Sequence, residues 1–207
     1  MPAVDATRAR LLEAAGDIFA RDGYRAARVR DICAAAGANL AAVNYHFGGK
    51  LPLYRAVFAH GFACAALSAA DRATSGTPAA RLTAWVDDFV HRVLADGKPA
   101  WVGKLMAREM NDPTAVLDEL VATHIRPHFT ALESAVRALL PAADDASVRR
   151  GASSVVAQCV FYLHSRAIIA RLHPGWRFSP DEVGRIAAHV ARFSLAGLAA
   201  MAKVAKS

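Results

Sequence analysis

Cysteine, strand punctuation and long apolar runs are what this sequence has least of. Its three cysteines, Cys33, Cys64 and Cys159, are odd in number, have no CxxC spacing and sit among apolar residues. That pattern excludes a disulfide framework and suits buried thiols in a reducing compartment. Hydrophobic residues make up 55% of the chain and mean hydropathy is +0.22, which raises the question of a membrane. The longest charge-free stretches answer it: 56–70 is interrupted by His60 and Gly61, and 152–165 by Gln158 and His164. A spanning helix takes roughly 20 apolar residues, so no membrane partner is expected. The opening Met1-Pro2-Ala3-Val4-Asp5 lacks the apolar core of a secretory signal, which points to the cytoplasm. A Gly-rich phosphate loop, GxSxG and HExxH are all absent. His124 and His128 have metal-ligand spacing, but Pro127 lies between them and no cysteine is near. No catalytic residue, metal or cofactor is therefore assigned, and the chain does not read as an enzyme.

What is present is positive charge and helical punctuation. The formal net charge is +7, which fits a nucleic-acid partner only as a weak signal. Residues 1–50 carry seven bases and five acids, a net of +2, so +5 falls on the remainder. Any case for DNA must rest on arrangement rather than on total charge.

The chain reads as about nine helices and no strand. Leu11, Leu12, Ala15, Ile18 and Phe19 recur at helical spacing until Asp22-Gly23 stops the first helix. Short helices from Val29 to Ala35 and from Asn39 to Phe47 flank Gly37, and Gly48-Gly49 breaks the second of them. A longer helix should run from Leu51 to Ala73. Thr77-Pro78 and Asp112-Pro113 read as cap-proline helix starts, the second opening a helix that continues to about Leu140 and bends near Pro127. One closing helix should span Ser147 to Leu172. Ser179-Pro180-Asp181-Glu182 opens the last as a capping box.

Val29 to Lys50 carries the functional signal. Two short helices around a glycine turn form a helix-turn-helix, whose second helix enters the major groove and presents its N-terminal residues to base edges. Those residues are Asn39, Leu40, Ala41, Ala42 and Asn44. The alanines allow close approach and contact with thymine methyls, and Asn44 has the amide that pairs with adenine. Arg28 and Arg30 are placed for phosphate or guanine, while Tyr45, His46 and Lys50 are placed to grip phosphates. Phe47 reads as an apolar plug, and Arg8 and Arg10 as a solvated face.

Residues 7–58 closely resemble the DNA-binding domain of the TetR/AcrR family. The resemblance lies in Arg10-Leu11-Leu12-Glu13-Ala14-Ala15, Ile18-Phe19, Gly23-Tyr24, Val29-Arg30-Asp31-Ile32-Cys33, Ala36-Gly37, Tyr45-His46-Phe47, Lys50 and Leu53-Tyr54. Farther on, Arg108-Glu109-Met110-Asn111-Asp112-Pro113-Thr114, Ile125-Arg126-Pro127, Gln158-Cys159-Val160-Phe161-Tyr162 and Arg192-Phe193-Ser194-Leu195 look like its CecR-type (YbiH-type) branch. Leu51 departs from the acid usual after the lysine.

The resemblance implies an all-α chain with a three-helix helix-turn-helix domain at 1–50. A larger helical ligand-binding and dimerisation domain would fill 51–207. It also implies a homodimer, double-stranded operator DNA as partner, a small hydrophobic or amphipathic effector and, most often, repression. Trp101, Met106, Phe129, Gln158, Tyr162 and Arg166 are the candidate cavity residues. The aromatics and Met106 belong to apolar stripes, and the polar groups interrupt a strongly apolar helix.

Overall fold

Several helices in this protein begin where a side chain supplies a backbone partner. The computed structural model describes residues 2–65, 76–94, 99 and 101–204, and within them every regular element is helical. The elements are α1 Pro2–Ala26, α2 Val29–Ala35, α3 Ala41–Phe47, α4 Lys50–Ala65, α5 Pro78–Leu94, α6 Trp101–Asn111 and α7 Leu117–Leu120. A π-turn at Val121–Ile125 precedes α8 Arg126–Leu139, α9 Asp145–His164, α10 Arg166–Leu172 and α11 Pro180–Val204. The all-α class is as the sequence indicates.

The caps form as their chemistry requires. Thr77 Oγ1 accepts from the Ala80 N–H at 3.2 Å, one Asp144 carboxylate oxygen from the Ser147 N–H at 2.7 Å, and Ser179 Oγ from the Glu182 N–H at 3.3 Å. Gly23 has φ +80°, so α1 breaks where Asp22-Gly23 signals a stop before one last turn to Ala26.

Two expected helices come out differently, and a third is described only in part. The helix read from Leu51 to Ala73 is described as far as Ala65, and 66–75 lie outside the described residues. The helix read from Asp112-Pro113 is split. Asp112 pairs with Arg25 at 3.5 Å instead of capping, and Thr114 folds back onto Glu109. Pro127 lies in the first turn of α8, directly after the π-helical stretch Val121–Ile125, so the helical run departs from regular α geometry just before the proline. The helix read from Ser147 to Leu172 breaks at Ser165, and α9 and α10 meet at 70°. The break lets Ile169 bury while the Arg166 guanidinium donates to the Leu94 carbonyl and lies 4.7 Å over the Phe178 ring. No single described helix is long and apolar enough to cross a membrane.

The chain forms two compact units. Unit one comprises the described residues of 1–65 and 97–123, and unit two those of 66–96 and 124–207. Packing therefore groups α4, α6 and α7 with the first three helices, a different partition from the division by role at residue 50. In unit one, α1 packs on α2, α4 and α6 around Leu11, Phe19, Ile32, Val43, Leu53, Tyr54 and Leu105. In unit two, α5 packs against α8, α9 and α11 around Leu82, Trp85, Val86, Leu132, Val155 and Val190.

Trp101 shows how closely unit one is fitted. Its indole is 3% exposed and lies against Gly16 of α1 and Gly61 of α4. Its Nε1–H donates to Glu13 at 3.0 Å, and His60 stacks on it with ring centroids 6.4 Å apart. A methyl at Gly16 would overlap the indole itself. Gly16→Ala should accordingly lose about 1–3 kcal/mol to overpacking despite alanine's better helix propensity. Gly184→Ala in α11, where an added methyl meets nothing within 4 Å, should gain about 0.5–1 kcal/mol. Urea unfolding followed by circular dichroism distinguishes them. Effects of the same sign would refute the packing account.

Candidate nucleic-acid interface

The helix-turn-helix is assembled from inward apolar residues and outward polar ones. Ile32 and Cys33 of α2 and Val43 of α3 are buried in unit one. Gly37, at φ +58°, makes the turn, and the Ala38 N–H closes it on the Cys33 carbonyl at 2.9 Å. Asn39 then caps α3, its side-chain oxygen accepting from the Ala42 N–H at 2.9 Å. Gly48, left-handed at φ +81°, ends α3 by returning its N–H to the Asn44 carbonyl at 2.9 Å. With Val43 turned inward, Leu40, Ala41, Asn44 and Tyr45 face outward. Leu40 is 60% and Tyr45 78% exposed, large values for apolar and aromatic residues. Asn39 is also exposed, and Ala42 and His46 are half-buried at the flanks.

The cations divide into those that are free to reach out and those already engaged. Arg28 and Arg30 are exposed at the start of α2, with Arg30 3.4 Å from Asp31 in a solvated pair. Lys50 is engaged: its Nζ donates to the Arg25 carbonyl at 3.2 Å and lies 4.8 Å over the Tyr24 ring. Partial burial lowers its pKa below the usual lysine value. An ammonium has three donors, so one bond within the chain leaves donors for a phosphate. Arg10 also has a partner, its Nε donating to the Ala36 carbonyl at the end of α2 at 3.0 Å. Arg8 lies 5.2 Å over the ring of Phe47, the last residue of α3. Arg8 and Arg10 are both exposed, in keeping with their reading as a solvated face, and each also makes one contact with a residue far along the chain.

Beneath this surface is a buried polar network. Glu109 of α6 has no solvent exposure. It accepts from the Tyr54 hydroxyl at 2.7 Å, from the Thr114 N–H at 2.7 Å and from Thr114 Oγ1 at 2.9 Å. Burial, and next the bond to Glu109, push the Tyr54 phenol well above its ordinary pKa, so it stays a donor. The neighbouring Arg108 donates to the Ala20 carbonyl at 2.6 Å and to the Arg21 carbonyl, holding the C-terminal end of α1. A cleft of about 220 Å³ lies beside the network, lined among others by Tyr24, Tyr54, Arg108 and Asn111.

The six residues read as cavity candidates fall in both units. Trp101 and Met106 belong to the core of unit one. Phe129, Gln158, Tyr162 and Arg166 belong to unit two, all half-buried. Gln158 donates to Ser194 Oγ at 3.1 Å. Arg166 turns back on Leu94 and Phe178, with its Nε buried and unpartnered.

Unit two also contains a charged cluster. Arg92 pairs with Asp88 and directs Nη1 at His128 Nε2, 2.8 Å away, so His128 accepts and must be neutral. Burial, then Arg92, lower the His128 pKa below its usual 6.5, with Asp88 opposing and His124 reinforcing the shift. Because the folded state disfavours the protonated ring, this stabilisation is complete above pH 6.5 and is lost as pH falls through the lowered value. His128→Gln should flatten the acid side of the stability profile of unit two, measured by thermal unfolding between pH 7.5 and pH 5. An unchanged slope would mean that His128 is not the titrating group.

Comparison with known proteins gives this geometry a context. Residues 11–57 match the family described as "Bacterial regulatory proteins, tetR family". Residues 78–198, more than half of the chain, match "HTH-type transcriptional dual regulator CecR, C-terminal domain". No curated protein matches the chain. Among solved structures, HlyIIR, a hemolysin II transcriptional regulator, aligns with TM-score 0.64 and 20% identity, over 90% of this chain and 97% of its own. PfmR, a TetR family transcriptional regulator from Thermus thermophilus, aligns with TM-score 0.65 and 16% identity, over 90% and 97%. The transcriptional regulator FadR from Bacillus subtilis, in complex with stearoyl-CoA, aligns with TM-score 0.64 and 12% identity, over 91% and 98%. At these identities the structural likeness speaks to the fold alone.

Proposed function

The chain belongs to the TetR family of transcriptional regulators, with a C-terminal domain of the CecR type, and from that premise we propose that it is a cytoplasmic, homodimeric repressor that binds an inverted-repeat operator and is released by a small effector. In this reading 1–50 is the DNA-binding domain and 51–207 the ligand-binding and dimerisation domain. The observation that carries it is the outward face of α3 and its N-terminal end: Leu40, Ala41, Asn44 and Tyr45 are exposed together, while Val43 is buried in the core of unit one and Ala42 and Phe47 pack against that core. Asn39, Leu40, Ala41, Ala42 and Asn44 read base edges, while Arg28, Arg30, Tyr45, His46 and Lys50 hold phosphates.

The dimer is proposed through α9 and α11. Gly151, Ala152 and Ser194 have the small side chains that close helix approach favours, but they are buried within their own unit, Gly151 against Leu198 and Val136. The faces left open are Ala157 and Phe161 on α9 and Phe193, Ala196, Gly197 and Ala200 on α11. Phe161 is 55% and Phe193 63% exposed, an apolar surface that a second copy would cover.

For the effector, the anchors proposed are the four candidates of unit two, Phe129, Gln158, Tyr162 and Arg166. Trp101 and Met106 are already packed in the core of unit one. Two half-buried aromatics, an amide and a guanidinium are together the chemistry that suits an amphipathic molecule with an anionic or polar end. An acyl compound fits that description. Effector and operator would oppose one another by about 1–3 kcal/mol, equally in both directions.

Selecting bound duplexes from a random pool tests the reading. It should yield an inverted repeat with half-site centres roughly 34–36 Å apart or a small multiple of that distance. Asn44→Ala should relax preference at one base position, by about 1–3 kcal/mol, whereas Lys50→Ala should weaken all duplexes alike. Protection of one asymmetric half-site, or sedimentation as a monomer at micromolar concentration, would overturn the dimeric reading.

A further inference from the structure

A chain of contacts runs from the interior of unit one to Lys50. Thr114 and Tyr54 fix the Glu109 carboxylate from two sides. The Tyr54 ring, 1% exposed, lies edge-on to Phe19 at 4.8 Å and to Phe58 at 5.1 Å, with its hydroxyl on Glu109. On its remaining side it meets the Tyr24 ring, centroid to centroid at 4.9 Å. Tyr24 in turn carries the Lys50 ammonium on its face, while the same ammonium is bonded to the Arg25 carbonyl. Tyr24 follows Gly23, whose left-handed backbone frees the last turn of α1 from the helix before it. That turn is held from two directions by consecutive residues of α6. Arg108 fastens the carbonyls of Ala20 and Arg21 just ahead of Gly23, and Glu109 acts through Tyr54 just beyond it.

We propose that Glu109 is a positioning residue for DNA binding: acting through Tyr54 and Tyr24, it holds the Lys50 ammonium where it meets a phosphate. The inference rests on the DNA-binding reading of Lys50 given above. Glu109 touches no DNA itself. Its carboxylate sets the Tyr54 ring, the ring sets Tyr24, and Tyr24 sets the cation. A carboxylate that served stability alone would alter the fraction of folded protein and leave the number of phosphate contacts unchanged.

The salt dependence of DNA binding separates these roles. Glu109→Gln is nearly isosteric but presents an amide where Tyr54 now finds an acceptor. Full-length wild type, Glu109→Gln, Lys50→Ala and the double variant are titrated with a mixed-sequence duplex at about 50 and 200 mM salt, and thermal unfolding of each is recorded. Loss of one phosphate contact makes the log–log salt slope shallower by about 0.9. The proposed dimer loses two such contacts, one per head, so Glu109→Gln should bind at least tenfold more weakly than wild type at low salt, with the deficit shrinking about tenfold by the higher salt, as for Lys50→Ala. The double variant should bind no more weakly than Lys50→Ala alone. A deficit that is the same at both salts, or one that adds in full to that of Lys50→Ala, would overturn the proposal. Should Glu109→Gln not fold, Tyr54→Phe, which keeps the ring contacts and removes the hydroxyl, supports the same comparison. If Lys50→Ala itself binds like wild type, the phosphate role of Lys50 falls, and with it the premise. A normal Glu109→Gln beside a weakened Lys50→Ala rejects the relay alone.

Discussion

A fully buried carboxylate must be surrounded by donors, and unit one is organised around that requirement. Taking Glu109 out of water costs several kcal/mol unless its oxygens are satisfied. Here they are, by one hydroxyl from α4 and by a backbone N–H and a hydroxyl from the segment after α6. The donors come from opposite directions along the chain, so the carboxylate is satisfied only when α6 lies against α4 and the chain has turned back at Thr114. Arg108 and Trp101 extend the same seam, one onto the carbonyl end of α1 and the other into the Gly16 and Gly61 surfaces. The recognition helix is seven residues long, too short to hold itself in place. It packs on α4 and α2, both of these pack on α1, and α1 packs in turn on α6.

What could be read from the sequence was what is local. The glycines at 23, 37 and 48 and the caps at Asn39, Thr77 and Ser179 act within a turn or two of themselves, and each is found performing that task. The alternation that buries Val43 and exposes Asn44 and Tyr45 is equally local. What could not be read was every interaction whose partner lies far along the chain. Glu109 and Tyr54 are 55 residues apart, and Trp101 and Glu13 are 88 apart. Trp101 looked like a cavity residue because an aromatic in an apolar stripe carries no mark of what covers it. The string Arg108 to Thr114 was noticed as part of a family resemblance, yet nothing in its spacing says that Arg108 grips carbonyls or that Glu109 is buried.

The break between α9 and α10 is a related case. Helical periodicity continues through Ser165, and no proline or glycine interrupts it. The chain turns there because Arg166 finds a carbonyl at the end of α5 and an aromatic face in Phe178, again partners remote in sequence. Periodicity reports which residues prefer burial and says little about a single side chain with a better bond elsewhere.

Unit one is built from two separate lengths of chain, with α5 intervening between them. The order in which residues leave the ribosome is therefore not the order in which their cores close. α1 to α4 emerge with Tyr54 and Leu53 facing a space that α6 and α7 fill later, and α5 is synthesised in between. For recombination the same fact sets a rule of inheritance. A regulator that acquired a new reading head by exchange at a single crossover would receive a head lacking its keystone carboxylate. A productive exchange must carry the 97–123 segment along with the N-terminal helices, or retain a recipient segment that already fits them. The reading head, though written first, is inherited in two pieces.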